Sequence, residues 1–266
     1  GVAVKTRSRT LHGVSVVLLA FLYLPIAVVF VYSFNATRHG VAWSGFTLEW
    51  YRSLFGNDLV LAAVRNTLWL ACASTLISTV LGTLLGCGLD RFRPAGRRWC
   101  GRLLQLPMVM PDIVMAVALV ILFTLARRWT GWFQLGMGTM VLAHVTLQIP
   151  FVAIVVKSRL AGFDSSLGEA AQDLGASRFQ TFWWITFPLI LPGILAGGLL
   201  AFTLSLDDFV LSFFTTGPGA STLPIFIYSS VKRGITPEIN ALSAIVIAVS
   251  VVAIVILTLL QRRWLR

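Results

Sequence analysis

Residues 164–192 read DSSLGEAAQDLGASRFQTFWWITFPLILP. Ser166 followed three residues later by Glu169 has the spacing of a capping box, which predicts that a helix begins there. Ala170 and Ala171 keep the surface of that helix slim. Gly175 supplies a stop, because glycine takes the left-handed conformation at no steric cost. A second helical stretch is expected over 177–187, with Phe179, Phe182, Trp183 and Phe187 as apolar anchors. Pro188 is then expected to open a long apolar segment. The product is a short, narrow helix held at the foot of a long one. Two readings are open here: an amphipathic loop lying on lipid, or a knob shaped for a groove in another protein.

Outward from this stretch the chain is mostly apolar. Of its 266 residues 57% are hydrophobic and only 12% are charged, yet the net charge is +11. Crossing a bilayer core of about 30 Å takes about 20 helical residues. Six runs have that character, at about 14–34, 64–88, 103–126, 137–156, 189–213 and 241–261. The expected fold is therefore all-α and integral to the membrane, a single domain over 1–266 with a cytoplasmic loop at 157–188. Soluble enzymes and soluble nucleic-acid binders are excluded, and the basic charge does not call for nucleic acid. The first run follows Lys5, Arg7 and Arg9 but is too long for a signal-peptide core and lacks a small-residue cleavage site. It is expected to stay as a span. The chain begins at Gly1 rather than Met, which leaves open residues before it.

Small residues in the second run (Ala71, Ala73, Ser74, Ser78, Gly82, Gly86, Gly88) predict a span inside the bundle, since they let helix backbones approach closely. Pro107 and Pro111 break the third run. Trp43, Trp50 and Tyr51 lie in the polar segment 35–63, where aromatic residues suit a membrane interface, and Trp129 and Trp132 lie in the short connection 127–136. The segment 214–240 reads as a long outer loop, with Gly217, Pro218, Gly219, Pro224 and Pro237 as turn signals. Its short apolar stretch 225–228 beside Lys232 and Arg233 could cap a pathway and receive another protein, or be plain surface.

The 21 basic residues set the orientation. Fourteen fall at the N-terminus, in 90–102, in 157–188 and in the tail; seven fall on the other side. By the positive-inside bias both termini and the loop 157–188 face the cytoplasm. Most of the +11 is thus topology.

Among ten acidic residues three fall within apolar runs: Asp112, Asp207 and Asp208. A charged side chain near the bilayer centre costs about 2.5–3.5 kcal/mol on insertion scales, so such residues usually face a cavity or a partner. On a continuous helix Asp207 and Asp208 would point about 100° apart. Asp208 would share a face with Ser205 and Ser212, a polar stripe that could line a translocation path or hold a neighbouring helix. Asp112 follows Pro111, a good first helical residue, so the helix dipole favours an acid there. Phe209, Phe213 and Phe214 are candidates for cation–π contact with an amine, or for packing. His144 reads as an interhelical hydrogen bonder. Cys72, Cys87 and Cys100 read as small buried hydrophobes, with no metal-ligand spacing, and no nucleophile–base pair stands out.

The run Glu169-Ala170-Ala171, then Gly175, Ile185 and Pro188, resembles the EAA signature of permease subunits of bacterial ABC importers. Phe187 stands where that pattern usually has Leu, and both are apolar. Ser33-Phe34-Asn35, Pro107–Asp112, Leu204–Phe209 and Pro237–Leu242 are similar to the polyamine (putrescine/spermidine) branch, most of all to the second permease of a putrescine system. The resemblance covers nearly the whole chain. It implies a type I permease fold, with Ser166, Glu169, Ala170, Ala171 and Gly175 in a coupling helix that docks on an ATP-binding subunit. It implies a second homologous permease, a dimer of ATP-binding subunits, a periplasmic polyamine-binding protein and residence in the bacterial inner membrane. ATP and Mg would sit in the partner ATPase. The chain lacks a Walker A motif and is expected to be non-catalytic, with no cofactor of its own. Asp207, Asp208, Asp112, Ser205 and Ser212 are the candidate substrate path. An ABC permease for another small solute and an ion-driven secondary carrier are the rival readings.

Overall fold

The computed structural model describes residues 9–37, 42–91, 94–162, 166–234 and 236–264; side chains at 9–11, 90–98 and 253–264 are outside that description. Lys5, Arg7, Arg38, Arg93 and Arg266, among the basic residues counted above for orientation, lie outside the described residues. Among the described residues the regular structure is helical, with one isolated β-bridge between Asn35 and Phe46. Among the described residues five helical segments are long and apolar enough to cross a membrane: His12–Tyr32, Asp58–Leu89, Asp112–Thr130, Met137–Ala161 and Arg178–Asp207. A shorter apolar stretch, Pro237–Val252, begins the helix that holds the sixth predicted run. The chain divides into two compact units, Gly1–Leu61 with Ile227–Arg266, and Ala62–Phe226.

The first unit contains α1 (Arg9–Tyr32), α2 (Glu49–Phe55) and α12 (Pro237–Trp264), with α1 and α2 both against α12. Its order comes from the Ser33-Phe34-Asn35 run. Asn35 is buried, donates from Nδ2 to the Ala42 carbonyl at 2.9 Å, and accepts from the Ser44 amide at 3.0 Å. Trp50 Nε1 donates to the Asn35 carbonyl at 2.8 Å. Phe34 stacks on Phe46 at 5.2 Å between ring centroids. One asparagine thus replaces a sheet ladder, satisfying backbone groups that would otherwise be unpaired. Asn57 reaches Glu238 at 3.2 Å and ties the turn before the second apolar helix to the start of α12.

The second unit is built around α6 (Met137–Ala161), whose apolar stretch is the most buried of the five. The reason is local. On α3 (Asp58–Arg91), a Cβ at Gly82 would stand 2.6 Å from Val152 Cβ, and one at Gly86 would stand 2.8 Å from the Ala153 carbonyl oxygen. Bare glycine backbone therefore lies directly on α6, the close approach expected of small residues in a membrane. On α9 (Phe187–Asp207), Gly197 meets Val152 in the same way, at 3.2 Å from Cγ1. Val152, Val156, Ile190 and Ala201 form the buried cluster that results.

Four sequence expectations change. The third run is two helices, α4 (Pro94–Val109) and α5 (Asp112–Thr130), so the span starts at Asp112 and not near 103. Pro111 is the N-cap rather than the first helical residue, with ψ 135°, because proline's ring and missing N–H favour a break there. The segment 214–240, expected as a long outer loop, is not a loop throughout: α11 (Leu223–Arg233) occupies its middle. Pro188 does not start a helix either. Helix α8 (Arg178–Thr181) runs through a π turn at Phe182–Thr186 straight into α9. Proline offers no amide and crowds the carbonyl four residues back, and the widened turn accommodates both.

Candidate functional site

The fifth apolar run, expected as one helix over 189–213, is interrupted. Helix α9 ends at Asp207, Asp208 adopts an extended backbone (φ −64°, ψ 121°), and α10 (Val210–Thr215) follows. The continuous face imagined for Asp208, Ser205 and Ser212 therefore does not exist. The three residues are nevertheless brought together, by His144 from α6. His144 Nδ1 lies 2.8 Å from Ser205 Oγ, and Nε2 lies 3.1 Å from Ser212 Oγ and 3.3 Å from Asp208 Oδ2. His144, Ser205 and Ser212 are all at most 2% exposed. Asp208 Oδ1 accepts from the Leu211 amide at 3.3 Å, and Oδ2 accepts from the Ser212 amide at 2.8 Å. The carboxylate thus caps α10, taking up amides that a helix start leaves unpaired.

The cluster continues across the unit. Ser205 Oγ is 3.2 Å from Ser74 Oγ, Gln148 Nε2 donates to Ser74 Oγ at 3.2 Å, and Ser78 Oγ donates to Gln148 Oε1 at 2.9 Å. With the ring proton on Nε2, the donors order in one direction: Ser78 to Gln148, Gln148 to Ser74, Ser74 to Ser205, Ser205 to His144, His144 to Asp208. Ser78, Gln148, Ser74, Ser205 and His144 are buried among apolar helices, where an unpaired polar group would be costly and a filled network is rigid. Sequence reasoning missed this chain. The signal was two polar pairs at i,i+4 on apolar helices, Ser74 with Ser78 and His144 with Gln148, each on one helix face.

The other acids stand apart. Asp207 is exposed at the C-terminal end of α9. Asp112 is exposed and is the first residue of α5, a position the helix dipole favours for an acid. Phe213 is exposed while Phe214 packs against the cluster of Met115, Leu119, Phe123 and Leu211.

The second feature is the segment that follows α6. Helix α7 (Ser166–Asp173) starts at Ser166 and ends in a Schellman motif. The Ala176 amide donates to the Ala171 carbonyl at 3.0 Å, the Gly175 amide donates to Gln172 at 2.9 Å, and Gly175 has φ +90°. The left-handed stop read from Gly175 is therefore present, and Ala171 supplies the carbonyl that closes it. A second capping box, unread in the sequence, starts α8: Ser177 Oγ accepts from the Gln180 amide at 3.3 Å, and Gln180 Oε1 accepts from the Ser177 amide at 2.8 Å. Between α7 and the π turn lies a cleft lined by Leu174, Gly175, Ala176, Gln180, Thr181, Trp184 and Ile185. Glu169 and Ala170 are exposed, and so are large apolar side chains, with Leu174 at 90% and Trp184 at 82%. Among the described residues no group of three His, Cys, Asp or Glu could hold a metal ion.

Residues 78–266 match the family model of the binding-protein-dependent transport system inner membrane component. The chain is 42% identical over 250 residues to the spermidine/putrescine transport system permease protein PotC of Escherichia coli K12, covering 94% of this chain and 93% of that one. It is 41% identical over 245 residues to the putrescine transport system permease protein PotI of the same organism, covering 91% and 87%. Its fold matches a bacterial ABC transporter involved in alginate import, with a TM-score of 0.75 at 21% identity over 96% of this chain and 94% of that one. The extent of these matches and the helical architecture place the chain in the inner-membrane permease family of binding-protein-dependent ABC importers, whose members are non-catalytic membrane subunits served by a separate ATPase.

Proposed function

We propose that this chain forms, with a second homologous permease, the path by which a polyamine of the putrescine/spermidine class enters the cell. The observation that carries the substrate class is the 42% identity, over nearly the full length, to a permease named for spermidine and putrescine. The acids at the break of the fifth run support it, since a carboxylate at membrane depth suits a cationic amine and would repel an anion. On this reading the break forms part of the path wall, with Asp207 on its open side, Asp208, Ser205 and Ser212 supporting it from behind, and Asp112 at the start of α5.

The chain acts as one permease domain with six crossings, both termini in the cytoplasm and 157–188 as the coupling loop. The positive-inside bias supports this orientation. Ser166, Glu169, Ala170, Ala171 and Gly175 dock on the ATP-binding dimer, which holds ATP and Mg. The exposed apolar surface of Leu174 and Trp184 supports a protein partner there, because apolar side chains outside the membrane gain by being covered. Closure of that dimer on ATP would move α7 and, through the unbroken α8–π–α9 rod, the break at Asp208. A periplasmic binding protein would deliver the solute.

The test is uptake by the complex reconstituted in liposomes with its second permease, ATPase and binding protein. Putrescine or spermidine should accumulate on ATP hydrolysis and sulfate should not. Sulfate uptake, or polyamine uptake without the ATPase, would refute the reading.

A further inference from the structure

We infer that the two adjacent carboxylates at the break of the fifth apolar run do different work: Asp208 is a fixed structural cap positioned by His144, and Asp207 alone meets the substrate amine. The inference rests on the polyamine reading for the identity of the amine, but the division itself stands on geometry.

Both oxygens of Asp208 are engaged. Oδ1 takes the Leu211 amide at 3.3 Å, and Oδ2 takes the Ser212 amide at 2.8 Å and His144 Nε2 at 3.3 Å. Its side chain is 9% exposed. Oδ1 keeps a spare lone pair, but with so little of the side chain exposed an incoming ammonium group could take both oxygens only by displacing a backbone amide or the imidazole, which would leave buried donors unpaired. His144 is itself fixed at its other nitrogen by Ser205, which is held through Ser74 and Gln148 to Ser78. The imidazole therefore cannot swing away without breaking a chain that crosses three helices. It is a positioning residue, acting through Asp208.

Asp207 has the opposite surroundings. It is exposed, and it is the last residue of α9. The extended backbone of Asp208 stops the helical ladder there, so the last-turn carbonyls of α9 lie beside the Asp207 backbone without helical partners. The C-terminal end of a helix carries partial negative charge, and a carboxylate placed on it is unfavourable until a cation arrives. Ends of discontinuous membrane helices coordinate cations in this way. A primary ammonium, with three donors, matches one carboxylate and two carbonyls. The cap formed by Asp208 and His144 is what keeps that helix end open.

Two measurements test this. In the reconstituted complex, Asp207→Asn should raise the KM for putrescine or spermidine at least tenfold. Asp208→Asn and His144→Ala should lower the maximal rate several-fold with KM within twofold of wild type, and His144→Gln, which can still donate to Asp208, should restore most of that rate. A KM rise in Asp208→Asn matching that of Asp207→Asn, or an unchanged KM in Asp207→Asn, overturns the division. In a background with Cys72, Cys87 and Cys100 replaced by Ser, a water-soluble thiol reagent should modify Asp207→Cys and spare Asp208→Cys. Modification of both, of neither, or of Asp208→Cys alone overturns it. The labelling needs no substrate, so wild-type protein that takes up neither polyamine would refute the substrate class while the labelling still decides the division.

Discussion

The break in the fifth apolar run and the segment 166–188 are built with opposite polarity. At the break, polar groups are buried in apolar surroundings, and His144, Ser205, Ser212 and Asp208 find partners within the chain. In the segment, large apolar groups stand exposed, with Leu174 and Trp184 almost fully open. The buried cluster of the first region is satisfied by its own partners and gains rigidity from that. The second is ordered by its own caps at Gly175 and Ser177 but leaves its apolar surface uncovered. A continuous helical rod, α8 through the π turn to α9, joins them.

The largest expected effect breaks the exposed end. The double substitution Leu174→Ser, Trp184→Ser removes two large apolar side chains, each worth about 1.5–3 kcal/mol when covered. Association with the ATP-binding subunit, read by co-purification or titration, should fall more than a hundredfold while the thermal stability of the isolated permease stays unchanged. Loss of stability instead would show that this surface is internal packing.

Next in size is the buried side. Gly82→Val would force a side chain into Val152, and overpacking of this kind costs about 1–3 kcal/mol or more. The midpoint of thermal unfolding in detergent should drop, and binding of the ATPase by the folded fraction should not change. His144→Ala should destabilise by about 1–3 kcal/mol, because Asp208 and two buried hydroxyls lose a partner. His144→Gln should recover part of that loss in the same melt.

Smaller effects sharpen the exposed side. Gly175→Ala places a Cβ at φ +90°, at a cost of about 1–2 kcal/mol. The end of α7 should fray and ATPase stimulation by loaded binding protein should fall several-fold, with permease stability nearly intact. Glu169→Gln should leave stability unchanged, since the side chain is exposed, and should lower the stimulated ATPase rate only modestly.

The local stops were legible in the sequence. Gly175 ends α7 because only glycine enters the left-handed region freely, and Pro111 breaks the third run because it lacks an amide. The glycines of α3 lie against α6 as their size implies. The break after Asp207 was not legible. No proline or glycine marks it, and residues 199–213 have the periodicity of an unbroken apolar helix. What stabilises it is a carboxylate that caps α10 and an imidazole contributed from 64 positions earlier, Asp208 and His144. The same distance hid the chain from Ser78 to His144, whose members lie on three helices. Helix α11 was missed because Pro224 reads as a turn signal, whereas in the first turn of a helix proline's missing amide costs nothing.

By itself, then, the sequence determined the solvent of this protein, the number of apolar runs, the slim helix with its glycine stop, and the presence of three acids in a chain otherwise poor in them. Those depend on composition and on neighbours within about four residues, which a linear reading contains. Only the tertiary structure decided which acid is consumed by the fold and which is left open. That choice depends on donors from α6 and α10 meeting one carboxylate, and burial makes such pairing compulsory for Asp208 and unnecessary for Asp207.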